Sequence, residues 1–138
     1  MTPKFRAWHK ELGRMMLIEI MYFFFFDNEL EELELNDPVM NDHISVYPDE
    51  IELMQSTGFV DEDDKEIFEG DILKVKIMNG QSWLETVRYN DEKAMFVSKE
   101  VNRKVPESPL YDLFNTDLFV VEIIGNIYEN PELLEVKE

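Results

Sequence analysis

The feature that most restricts the folds open to this chain is a change of rhythm after residue 65. The stretch "DEDDKEIFEGDILKVKIMNGQ" begins with solid charge and then alternates: Leu73, Val75 and Ile77 fall on one side, Lys74 and Lys76 on the other. A repeat of two residues belongs to an extended strand with one face buried, since successive side chains of a strand point to opposite faces. Gly70 stands where a bend or bulge would start that strand. Asn79-Gly80 follows at once, the strongest short hairpin signal, because both residues tolerate positive φ. "WLETVRY" and "AMFVS" continue the pattern, giving strands over about residues 72–78, 82–89 and 94–99 joined by tight turns. Downstream, "ESPLYDLF" predicts a short helical turn with Ser108 as N-cap and Pro109 first in the helix. "LFVVEII" predicts a strand buried on both faces. "NPELLEV" predicts a terminal helical turn capped by Asn130.

The fold class is therefore mostly β with minor α. Meander, helical turn and one more strand is the sequence order of a small SH3-like barrel over residues 66–128; the alternative is an open antiparallel meander. The chain, 138 residues with 44% hydrophobic side chains, is one domain's worth. Residues 1–60 form an N-terminal hairpin region packed on the barrel-like residues 61–138. In the first part, "KFRAW", "HKELGR" and "MMLIEI" predict a hairpin with Gly13 in its turn. "DNELEELELNDP" fits either a solvated helix or an edge strand, and Pro48 limits "HISVY" to an edge. "FFFF", Phe23, Phe24, Phe25 and Phe26, puts two rings on each face of an extended chain. Neither face can be left in water without a patch that promotes association. The interior of the monomer is the first expectation for this segment and a homo-oligomer interface the second.

Composition removes whole classes of chemistry. Cysteine is absent, so disulfides, thiol catalysis and Cys-ligated zinc are absent with it. The longest apolar run, Met15 to Phe26, includes Glu19 and is too short to cross a bilayer. No secretory signal pattern opens the chain. A soluble cytoplasmic protein with no membrane partner is the expectation. The formal net charge is −18, from 13 basic and 31 acidic side chains. A nucleic-acid binder works by neutralising phosphates, so direct nucleic-acid binding is not expected.

Seven of the eleven residues from Asp61 to Asp71 are acidic. An EF-hand loop needs oxygen ligands at its odd positions, Gly at the sixth and Glu at the twelfth. Counting from Asp61 gives Lys65, Glu66 and Ile72 at the fifth, sixth and twelfth positions, and the register from Asp63 fails similarly. Residues 61–65 instead read as a solvated loop, leaving Asp61, Glu62, Asp63 and Asp64, with Phe23 to Phe26, as the candidate interaction surface. The two histidines, His9 at a turn and His43 beside an edge strand, read as surface residues. No phosphate-binding loop, dinucleotide fingerprint or nucleophile elbow occurs. No catalytic residue, metal ligand or cofactor is assigned, and a non-enzymatic protein is expected.

Three segments, "FRAWHKELGRM", "LMQSTGFVDEDDKEIFEGDIL" and "VVEIIGNIYENPELL", hold their order and spacing from end to end and resemble the YopX family. The first carries Phe5, Arg6, Ala7, Trp8 and Met15. The second carries Gln55, Thr57, Gly58, Asp61, Lys65, Glu66, Ile67, Glu69, Gly70, Asp71 and Ile72. The third carries Ile124 to Glu132. Where that family commonly has Asn-Gly in the loop, this chain has Asp63-Asp64, which puts a positive-φ turn there in question. The resemblance implies a bacteriophage or prophage setting in Gram-positive bacteria and assigns no catalytic residues. It also implies structural roles: Gly58 and Gly70 as bends, Ile67, Ile72 and Ile127 as core, Trp8 as a cover for the barrel, and Asp71 as a partner of turn amides. Together these give an oligomeric interaction module with a phage or host protein as partner. The alternative is an acidic mimic of nucleic acid that inhibits a host nucleic-acid-binding protein.

Overall fold

A computed structural model of the chain describes residues 4–135. It is mostly β, with eleven strands in antiparallel pairs and three single helical turns. The chain divides into two compact units, residues 1–55 and 56–138.

In the first unit, β1 (Phe5–His9) and β2 (Arg14–Phe23) form the expected hairpin, with Gly13 at φ 64° in the turn. The sheet continues through β3 (Leu30–Asp37) to β4 (Asp42–Val46), and on the other side of β1 lies the first half of β5 (Ile51–Val60). The ambiguous acidic stretch is thus an interior strand, neither helix nor edge. Its alternation decides this: Leu33 and Leu35 are fully buried while Glu32 and Glu34 point the other way. β4 is an edge, as Pro48 required. Ala7, Met16, Leu33, Leu35, Val46 and Ile51 make this unit's core. At the end of β3 the buried Asp37 accepts hydrogen bonds from Arg14 Nε (3.1 Å) and from the backbone N–H of Val39 (3.0 Å), and a second arm of the guanidinium pairs with it. These bonds, the Arg14 one foremost, hold the Asp37 carboxyl below its ordinary pKa against the opposing effect of burial. His9 is buried, and its Nδ1 accepts the N–H of Leu12 (3.0 Å); the surface placement read from the sequence is overturned. His43 is exposed and pairs with Glu19.

In the second unit, the second half of β5 pairs with the short β6 (Glu66–Phe68). A separate five-stranded sheet has the order β10-β9-β8-β7-β11. Its strands are β7 (Asp71–Ile77), β8 (Ser82–Asn90), β9 (Met95–Glu100), β10 (Ser108–Pro109) and β11 (Phe119–Asn126). The meander is present where the sequence placed it, but the sheet does not close, so the barrel gives way to the open alternative. β10 and β11 are its two edges. β11 is accordingly half covered, with Val121 buried and Val120 exposed, and is not a strand buried on both faces. A bulge between Ile123 and Gly125 absorbs one residue of register against β7. The β7–β8 turn is a three-residue loop closed by the Ile77 N–H on the Gln81 carbonyl (3.0 Å); Gly80 alone takes positive φ, at 89°. Ser108 joins β10 rather than capping a helix, because Leu110–Leu113 turns only after Pro109. Leu110 and Leu113 close over Leu73, Val75, Val87, Val121 and Ile67, and Phe59 stacks on Phe114 at 4.6 Å beside them.

Candidate functional site

The candidate residues fall at two separate places. The first is the turn between β2 and β3, built by the Phe24 N–H on the Glu29 carbonyl (2.8 Å) and the Asn28 N–H on the Phe24 carbonyl (2.9 Å), with Asn28 at φ 58°. The aromatic run does not enter the interior. Phe23 and Phe24 are half exposed, and Phe25 and Phe26 are 92% and 97% exposed, touching each other edge to face at 5.3 Å. The run straddles the strand end, so its last rings extend beyond the sheet that would otherwise cover them. On β2 behind them, Leu17, Ile20 and Tyr22 are exposed as well. Acidic Asp27, Glu29 and Glu31 border the tip.

The second place is the loop after β5. Glu62, Asp63 and Asp64 are exposed, but Asp61 is buried and organises the others, against the expectation of a fully solvated loop. Its Oδ1 accepts the N–H groups of Asp63 and Lys65, each at 2.9 Å, and its Oδ2 accepts that of Ile123 at 3.0 Å. Burial pushes the Asp61 pKa up, yet the three backbone donors outweigh it and leave the carboxyl below its ordinary value. Asp64 takes φ 60°, so the positive-φ turn that the Asp63-Asp64 pair put in question is present, with an aspartate in the left-handed region. Asp71, likewise buried, accepts the Phe68 N–H at 2.8 Å. One oxygen each of Glu62, Asp63 and Glu122 lies within 4.8 Å of the others. These are hard, solvated oxygens of the kind calcium takes, with no further feature to make them a built site.

A third place has no counterpart among the candidates from the sequence: a cleft of about 210 Å³ in the second unit, lined by Trp83, Glu85, Ser98 and Glu100 together with Pro106, Pro109 and Asp112. Glu85 is only 8% exposed. The "WLETV" alternation put Glu85 on the inward face, and that inward glutamate was the available signal.

An open antiparallel meander and a second β unit, with exposed aromatics at one hairpin tip, define a small, mostly β protein. The YopX protein family model matches residues 4–135, and the chain belongs to that family. Protein EF1440 from Enterococcus faecalis, a crystal structure, superposes with a TM-score of 0.63 at 28% identity, over 98% of this chain and 99% of that one. Protein yopX from Bacillus subtilis superposes at 0.61 and 20% identity, over 96% and 98%, and shows the same fold. No curated protein matches the chain. Among the described residues no helix is long and apolar enough to cross a membrane.

Proposed function

We propose that this chain is a non-enzymatic accessory protein of a phage or prophage, acting in the host cytoplasm as a self-associating protein-interaction module. The observation that carries the reading is the exposure of Phe23 to Phe26 at the β2–β3 tip. Burying a phenylalanine contributes about 1.5–3 kcal/mol, so the tip's nearly three exposed ring equivalents offer about 4–9 kcal/mol. Association costs about 4–15 kcal/mol in lost rigid-body freedom. The tip alone therefore sits near break-even, and the exposed Leu17, Ile20 and Tyr22 supply the remaining apolar surface. The acidic-mimic alternative has less to work with, since Asp37, Asp61 and Asp71 turn inward to hold their own turns.

Size-exclusion chromatography with light scattering at tens of micromolar tests this. The wild type is expected to run as an oligomer and Phe25→Ser/Phe26→Ser as a monomer with unchanged circular dichroism. A monomeric wild type would sink the reading.

A further inference from the structure

We propose that the cleft over β8 and β9 receives the cationic side chain, arginine or lysine, of a protein partner, with Glu85 as its counter-ion. Strand geometry puts Glu85 on the face it shares with Trp83 and Val87, opposite Leu73 of β7 in register. Leu73, Val75 and Val87 around it are essentially fully buried, so the pattern asks for an apolar residue at this position. The carboxylate is instead held by two neutral donors: Trp83 Nε1 gives a hydrogen bond to one oxygen and Ser98 Oγ to the other, each at 2.7 Å. Among the described residues no Lys, Arg or His forms an ion pair with it. Directly across on β9 stands a second carboxylate, Glu100, a like-charge pairing that weakens a sheet. Glu100 has its own cation, Arg103, at 3.3 Å, but that arginine is 67% exposed and lies with Glu100 rather than Glu85. A buried carboxylate held by neutral hydrogen bonds alone has no counter-charge, and a cation delivered from outside would supply one.

The shape of the cleft selects the kind of cation. A volume of about 210 Å³ is roughly seven times the share of one liquid water, far more than a bare ion needs. A small divalent ion would also want several oxygens converging at about 2.0–2.6 Å. The walls are mixed: Trp83 and Phe119, edge to face at 6.2 Å, with Pro106 and Pro109 supply apolar surface beside the polar Glu85, Glu100 and Asp112. Such walls take the methylene stem of a long basic side chain, the indole attracts its charged head, and Glu85 receives the hydrogen bonds. The net charge of −18 draws cationic partners in general; the enclosed glutamate without a counter-ion says where one of their side chains goes.

The test is a ¹⁵N NMR titration of the full chain with acetyl-arginine amide, with acetyl-citrulline amide as the neutral isostere. The Trp83 indole N–H is the reporter, assigned with Trp83→Phe, and Trp8 is the control. Arginine is expected to move the Trp83 indole saturably, with at least tenfold weaker binding of citrulline and at least tenfold weaker arginine binding to Glu85→Gln. Glu100→Gln/Asp112→Asn, which leaves the Trp83–Glu85–Ser98 bonds intact, should weaken arginine several-fold and decides the matter if Glu85→Gln fails to fold. An unmoved Trp83 indole overturns the proposal. So do equal responses to arginine and citrulline, non-saturating shifts spread over all acidic residues, or the same response to magnesium alone. The Phe25→Ser/Phe26→Ser protein should titrate like the wild type, so failure of self-association and failure of this pocket are told apart.

Discussion

Gly125 and Asn130 compete for one small volume at the end of β11. The Asn130 side chain folds back so that its Oδ1 accepts the Asn126 N–H at 3.1 Å, while the Asn126 carboxamide accepts the N–H groups of Tyr128 and Glu129. A β-carbon on Gly125 would stand 2.7 Å from Asn130 Cγ. Glycine is needed here for close approach, since its φ is ordinary. Gly125→Ala is expected to destabilise by about 1–3 kcal/mol, the usual range for overpacking. Asn130→Ala alone should cost about 1 kcal/mol for its hydrogen bond. The double variant should cost clearly less than the sum, because removing the asparagine removes the clash, and urea unfolding of all four proteins measures that coupling. Additive losses would show that the glycine serves some other need. The helical turn that "NPELLEV" predicts is present as Pro131–Leu134 with Asn130 at its N-cap position, but the Asn130 side chain bonds back to Asn126 and does not cap the turn. Which backbone N–H a side-chain oxygen takes depends on the fold-back of the chain, and local propensity does not encode that.

Among the elements, strands were legible and their neighbours were not. Alternation located β7, β8 and β9 to within a residue or two, and Gly13 and Pro48 fixed the first hairpin and the β4 edge. What alternation cannot say is whether a meander closes, because closure depends on the stagger accumulated over all strands. It also cannot tell an edge from a centre when a strand is as apolar as β11. The loop after β5 was legible as a turn, while its buried anchor Asp61 was masked by the four charged residues that follow. Asp64 offers a prediction at this scale. Its side chain is exposed and its φ of 60° lies in the left-handed region, which aspartate tolerates better than most residues with a β-carbon but glycine takes freely. Asp64→Gly should relieve about 1 kcal/mol of backbone strain and return part of it as unfolded-state entropy, for a net gain of about 0.5 kcal/mol. A small rise in melting temperature checks this; a fall would mean that the aspartate holds the loop through its charge.

For the whole molecule, two electrostatic effects of opposite sign set the dependence of stability on acidity. At neutral pH the charge of −18 repels itself, and that repulsion fades as pH falls toward the isoelectric point near 4.3. Against it stand Asp37 in one unit and Asp61 in the other, both with folded pKa values below the ordinary aspartate value of about 3.9. A carboxyl with a depressed folded pKa binds fewer protons folded than unfolded between the two values. Its contribution is therefore complete above the unfolded pKa and is lost as pH drops through the folded one. The repulsive effect governs from pH 7 to about 5 and the aspartates govern below about 4, so the urea midpoint should rise gently on acidification and then fall steeply. Salt separates the two: screening at about 1 M ionic strength should flatten the rise, because exposed charges carry it, and leave the fall, because Asp37 and Asp61 are buried. Asp37→Asn and Asp61→Asn should each lower the midpoint at pH 7 and make the acid fall shallower. A fall that both substitutions leave unchanged would assign the acid limb to other carboxylates.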